Sequence, residues 1–117
     1  MKVTIHEALA RLPAAPTAHY PEGAPSVTML AHGSMLLKVF TPSTNRDGLD
    51  RQLPHDQDEL YLVHRGSATM VIGAQSFPAA AGDTFFVPAG EAHRFDSASN
   101  DFATWVVFYG PKGGETA

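Results

Sequence analysis

From Val27 onward the apolar residues gather into short runs, with turn residues between them. VTMLA and MLLKVF flank His32-Gly33-Ser34, which reads as a tight turn. Asp47-Gly48 is another turn signal. ELYLVHR, ATMVI and QSF follow, joined by Gly66-Ser67 and Gly73-Ala74, and then come DTFFVP, AHRFD and TWVVFY. About eight strands with turn signals every 8–12 residues predict an all-β sandwich or barrel. No stretch between them reads as a crossover helix, which argues against a parallel α/β sheet.

Before Val27 the period is different. Ile5, Ala8, Leu9 and Leu12 fall on one helical face, Thr4 and Glu7 form a capping-box pattern, and Pro13 stops the run. So short a helix is marginal alone, so its apolar face is expected to pack on the main body. PAAPTAHYPEGAPS then reads as an extended connector. The predicted organisation is a helix and proline-rich connector over residues 1–26 and one barrel domain over 27–117.

Composition narrows the function classes. The chain has 117 residues, enough for one domain, and 44% hydrophobic content supports a packed core. The net charge of -4 and the scattered basic residues give no electrostatic footprint for nucleic acid. There is no cysteine, so disulfides, thiolate metal sites and a cysteine nucleophile are excluded. No apolar run approaches a signal h-region or a membrane span, and a cytoplasmic location is the expectation.

Two clusters carry the candidate chemistry. In His55-Asp56-Gln57-Asp58-Glu59, read as extended chain, His55, Gln57, Glu59, Tyr61 and Val63 share one face. That face starts with imidazole, amide and carboxylate and continues into core, a suitable start for a metal site. His64 falls on the opposite face and reads as surface. Asp56 and Asp58 read as solvated or as partners of a ligand histidine. The second cluster, from Gly82 to Phe95, reads as a strand, a Pro88-Ala89-Gly90 turn and a short return strand that brings His93 toward the same cavity. His19, in the connector, is placed where it could cover the barrel.

These residues resemble the cupin superfamily. Gly82, Pro88, Gly90 and His93 match the spacing of that family's second motif, G-x5-P-x-G-x2-H-x3-N, with Ser97 in place of the final Asn. Glu59 and Gly66 match the E-x6-G end of the first motif. Its start matches in part: with His55 as the second histidine, Leu53 stands where the first belongs. The resemblance implies a jelly-roll barrel (a double-stranded β-helix) with a short N-terminal helix. It also implies one divalent transition-metal ion, iron, manganese, nickel or zinc, on His55, Glu59 and His93. Gln57 either supplies a fourth donor or stands beside the ion.

The favoured expectation is a metalloenzyme acting on a small molecule, dioxygenase-like in its open coordination positions. A non-catalytic ligand sensor is a second reading. A metal-independent sugar isomerase or epimerase using a His–acid pair is a third. The expected partners are a small-molecule ligand and a second copy of the chain in a homodimer, with no nucleic acid and no membrane.

Overall fold

A computed structural model describes residues 1–45 and 47–116. Arg46 and Ala117, the latter closing the expected barrel domain, lie outside the described residues. Helix α1 spans Ile5–Ala10, and the strands are β1 (Ser26–His32), β2 (Met35–Phe40), β3 (Asp58–Arg65), β4 (Ser67–Ile72), β5 (Gln75–Ala80), β6 (Thr84–Val87), β7 (His93–Asp96) and β8 (Ala103–Tyr109). A 3-10 turn at Pro42–Thr44 follows β2. The strands form two antiparallel sheets, one in the order β1-β2-β8-β3-β6 and the other β5-β4-β7. This is the jelly-roll arrangement that the family resemblance implied, and it lies within the sandwich-or-barrel class that the strand and turn pattern predicts.

Alternation sets what lies between the sheets. In β3, Glu59, Tyr61 and Val63 are buried while Leu60, Leu62 and His64 are exposed. The inner faces meet in a core of Phe40, Tyr61, Val63, Met70, Val87, Phe95, Phe102, Val106 and Phe108. Burying a ring such as Phe95 stabilises the fold by about 1.5–3 kcal/mol. The β3–β4 turn depends on Gly66, whose φ is +78° and where an added Cβ would sit 2.6 Å from the Phe102 Cα.

Helix α1 lies outside the barrel. The Thr4 side chain accepts a hydrogen bond from the Glu7 amide at 3.2 Å, the expected cap. Ala8 packs with Val27 and Val39, with Ile5, Leu9, Leu12 and Trp105 around them. Trp105 thus belongs to the outer face, while Phe95 belongs to the core.

One expectation about connectivity changes. The segment after β6 is not a hairpin turn, because β6 pairs with β3 and β7 pairs with β4 in the other sheet. Pro88–Ala92 therefore crosses between sheets. It still brings His93 inward, now from the opposite wall to Glu59.

Candidate metal centre

Glu59 and Tyr61 arrive from the inner face of β3, His93 from the first position of β7, and His55 from the irregular segment before β3. One ligand atom from each of His55, Glu59 and His93 lies within 4.8 Å of the others. His55 Nδ1 is 3.1 Å from Glu59 Oε1, and His93 Nε2 is 3.3 Å from Glu59 Oε2. The Glu59 side chain is 1% exposed and that of His93 is fully buried.

The hydrogen-bond count leaves this group short of donors. His93 Nδ1 lies 2.8 Å from the Glu91 carbonyl, which only accepts, so Nδ1 carries a proton. In the neutral ring the Nε2 lone pair then faces Glu59 and Tyr61. The Tyr61 hydroxyl has one hydrogen and three neighbours: Gln52 Oε1 at 3.0 Å, Glu59 Oε1 at 3.0 Å and His93 Nε2 at 3.1 Å. His55 Nδ1 and Glu59 Oε2 are buried without a hydrogen-bond partner among the described residues. Buried polar atoms left so are costly unless something satisfies them. Two imidazoles and a carboxylate whose ligand atoms lie within 4.8 Å of one another, two polar atoms of the group being buried without a hydrogen-bond partner, fit a divalent transition-metal ion.

Charge agrees with this. Burial would raise the Glu59 carboxyl, but the His55 and His93 imidazoles in close contact with it outweigh that and hold the group at about 2. Burial would lower His93, yet Glu59 and the Glu91 carbonyl raise it above the ordinary 6.5. Tyr61 is pushed well up by burial and by the Glu59 charge, so its hydroxyl keeps its proton.

Hydrogen bonds from the crossover fix the ligand positions. The Gly90 amide donates to the His55 carbonyl at 2.7 Å, and the Ala89 amide donates to Asp58 Oδ1 at 2.9 Å. The other Asp58 oxygen accepts from the Glu115 amide at 2.8 Å. Asp58 is therefore buried under the C-terminal segment, tying it to the crossover, where the sequence suggested solvent or a ligand histidine.

Residues 42–109 match the model of the Cupin_2 family, described as the cupin domain. The chain belongs to the cupin family. Within this cupin, a segment of 63 residues is 43% identical to the uncharacterized protein SCO3923 of Streptomyces coelicolor, covering 54% of this chain and 60% of that protein. Among solved structures the fold is similar to plu4264 of Photorhabdus luminescens, with a TM-score of 0.59, 18% identity and 73% of each chain covered. It is also similar to iron(II) HppE in complex with substrate, with a TM-score of 0.59 and 19% identity over 72% of this chain and 52% of that one. A cupin superfamily protein from Desulfitobacterium hafniense aligns with a TM-score of 0.54 and 18% identity, over 71% and 73% of the two chains.

Of the four residues expected to hold metal, this cupin brings three together. Gln57 lies elsewhere. A bend at Asp56-Gln57 precedes β3, so the alternation assumed back to His55 holds only from Asp58. The Gln57 amide nitrogen donates to the Ser34 carbonyl at 2.7 Å and to the Gly110 carbonyl at 3.0 Å, tying the β1–β2 turn to the end of β8. Leu53, at the first-histidine position, is 60% exposed and offers no donor.

Two neighbours of the site went unnoticed in the sequence. Gln52 turns inward and accepts from Tyr61, and its own amides donate to Asp50 at 3.0 and 2.8 Å. Asp50 also accepts from the Phe95 amide at 2.8 Å, and burial raises its carboxyl. Neither residue belongs to a periodic run. Tyr61 had a readable signal, a phenol two residues beyond Glu59 on one face. A cavity of about 240 Å³ opens beside the group, walled by Gln52, His55, Tyr61, Phe108, Lys38 and Phe40. His19, from the connector, lies on its lining.

Proposed function

We propose that this cupin is a metal-dependent enzyme acting on a small molecule, with His55, Glu59 and His93 holding one divalent ion. The observation that carries the reading is the pair of orphaned buried atoms, His55 Nδ1 and Glu59 Oε2, facing His93. When bound, the ion supplies Lewis acidity and open coordination positions for substrate or dioxygen. The chain's own residues do the rest. Glu91 holds His93 in the tautomer that presents Nε2. Tyr61 keeps one proton at the edge of the cavity, and Gln52 holds its hydroxyl in place. The similarity to HppE, described with iron(II) and substrate, supports the capacity of this fold for such chemistry and leaves substrate and reaction open.

A metal-free reading has one observation of its own. His93, Glu59 and Tyr61 form a buried acid–base group beside a cavity, which would suit a proton-transfer isomerase. Elemental analysis separates the two readings. Wild-type protein, purified without chelator and then reconstituted with Fe(II), Mn(II), Ni(II) or Zn(II), should hold about one ion per chain. His55→Ala and His93→Ala should hold none, and His64→Ala should hold as much as wild type. Wild type without bound metal after reconstitution would favour the acid–base reading. Oxygen consumption with candidate substrates then separates an oxidoreductase from a ligand sensor.

A further inference from the structure

Period two puts Leu36, Lys38 and Phe40 on the inner face of β2, since Leu36 and Phe40 pack in the barrel core. A lysine at a core-facing position needs a reason. Lys38 is half-buried on the cavity wall. No carboxylate among the described residues lies within ion-pair distance of it. Its ammonium sits 5.8 Å from the centre of the Phe108 ring, and the His55 ring meets the same phenyl edge-on at 4.8 Å. One aromatic ring therefore separates an unpaired cation from a ligand of the candidate metal centre. Burial lowers the Lys38 pKa, the expected consequence of a partly desolvated charge without a counter-ion.

The other cation on the cavity lining, Arg51, is different, because its guanidinium is paired with Asp47. The chain as a whole carries a net charge of -4, against which Lys38 stands as a half-buried cation. Thr28 and Val106, its cross-strand neighbours, bring it no negative charge.

We infer that the cavity takes a small organic oxyanion whose charged group sits on Lys38 while its other end reaches the candidate metal centre from the side of His55 and Tyr61, the members of that group that line the cavity. This rests on the proposed metal-dependent function and names its substrate class. A single ammonium flanked by an aromatic face suits a monocarboxylate, and a phosphonate presents the same oxyanion chemistry. The cavity of about 240 Å³ admits a short acid of a few carbon atoms.

The test is calorimetric titration of wild type, Lys38→Met and Lys38→Gln with 4-hydroxybutyrate, its neutral amide 4-hydroxybutyramide, and methylphosphonate. Each protein is measured metal-loaded and after chelator treatment, with near-UV circular dichroism and metal content recorded. Wild type should bind 4-hydroxybutyrate about tenfold or more tightly than the amide, and both variants should lose that preference while keeping fold and metal. Tighter binding of methylphosphonate than of the carboxylate, also lost in the variants, would support the oxyanion and assign a phosphoryl source. If chelated wild type keeps the Lys38-dependent preference and no preparation binds metal, the oxyanion site stands and the metal reading falls. Equal affinity for acid and amide, unchanged binding in Lys38→Met and Lys38→Gln, or no binding of either anion by folded, metal-loaded wild type would overturn the inference.

Discussion

The Gly90 amide donates to the His55 carbonyl at 2.7 Å, so the crossover that delivers His93 also holds the backbone of the other candidate histidine ligand. Gly90 has φ +81°, and an added Cβ there would meet nothing within 4 Å. Gly90→Ala therefore introduces backbone strain without a clash, roughly 1–2 kcal/mol. We expect a melting temperature lower by several degrees, and weaker metal binding because His55 is less firmly held. Gly33, at φ +57°, also lies in the left-handed region with nothing within 4 Å of an added Cβ, far along the chain in the β1–β2 turn, and Gly33→Ala serves as the control. It should show a similar loss of stability with metal affinity unchanged. Equal metal affinity in the two variants would disconnect the crossover from the site.

How far the sequence reveals the site depends on where regular structure starts. Inside β3 the period-two pattern correctly separated Glu59 and Tyr61 from Leu60 and His64. His93 was legible through the family resemblance that its spacing from Gly82, Pro88 and Gly90 carries. The pattern fails one residue before the strand. Asp56-Gln57 bends, so Gln57 leaves the face that His55 and Glu59 reach. Asp50 and Gln52 lie in an irregular stretch where no period exists to assign a direction. The sheet partners of β6 and β7 were also illegible, since a Pro-Ala-Gly turn serves a hairpin and a crossover alike.

Gln57 gives the next expectation. Its amide nitrogen bridges the Ser34 and Gly110 carbonyls, and neither contact involves the candidate ligands. Gln57→Ala should destabilise the fold by about 1 kcal/mol through those lost hydrogen bonds. Metal stoichiometry and affinity should remain those of wild type. Denaturant unfolding beside elemental analysis checks both. A large loss of metal in a protein of near wild-type stability would return Gln57 to the ligand set.

The pH dependence of stability should differ in sign with and without metal. In metal-free protein His93 has a pKa above 6.5, so its pairing with Glu59 stabilises fully below that value. The contribution is lost as pH rises through the higher, folded-state pKa. Glu59, held at about 2, stays ionised throughout. Other groups titrate as well, so the quantity to read is the difference between wild type and His93→Gln. For chelated protein that difference should shrink as pH rises above 6.5. For metal-loaded protein it should grow over the same range, because coordination replaces the proton on Nε2. Parallel curves in the two preparations would remove His93 from the ligand set.

The outer face of the larger sheet leads to an expectation about assembly. Leu37 pairs with Val107, Val107 with Leu60, and Leu60 with Phe86, an apolar row in register across four strands. Leu60 and Leu62 are each 42% exposed and Phe86 is 52% exposed, whereas helix α1 covers the other half of this face around Val39. Apolar residues aligned and exposed in this way mark an interaction surface more often than isolated ones do. We propose that a second copy covers the row by two-fold symmetry, because one patch can then satisfy itself on both subunits. Leu60→Lys combined with Phe86→Glu places opposite charges side by side within each subunit and puts both into the contact. Desolvating them there should cost more than their pairing returns. Light scattering at micromolar concentration should give a dimer mass for wild type and a monomer mass for the double variant. Both residues point away from the cavity, so metal content should be the same in the two proteins. A monomer mass for wild type across that concentration range would rule out the symmetric pair.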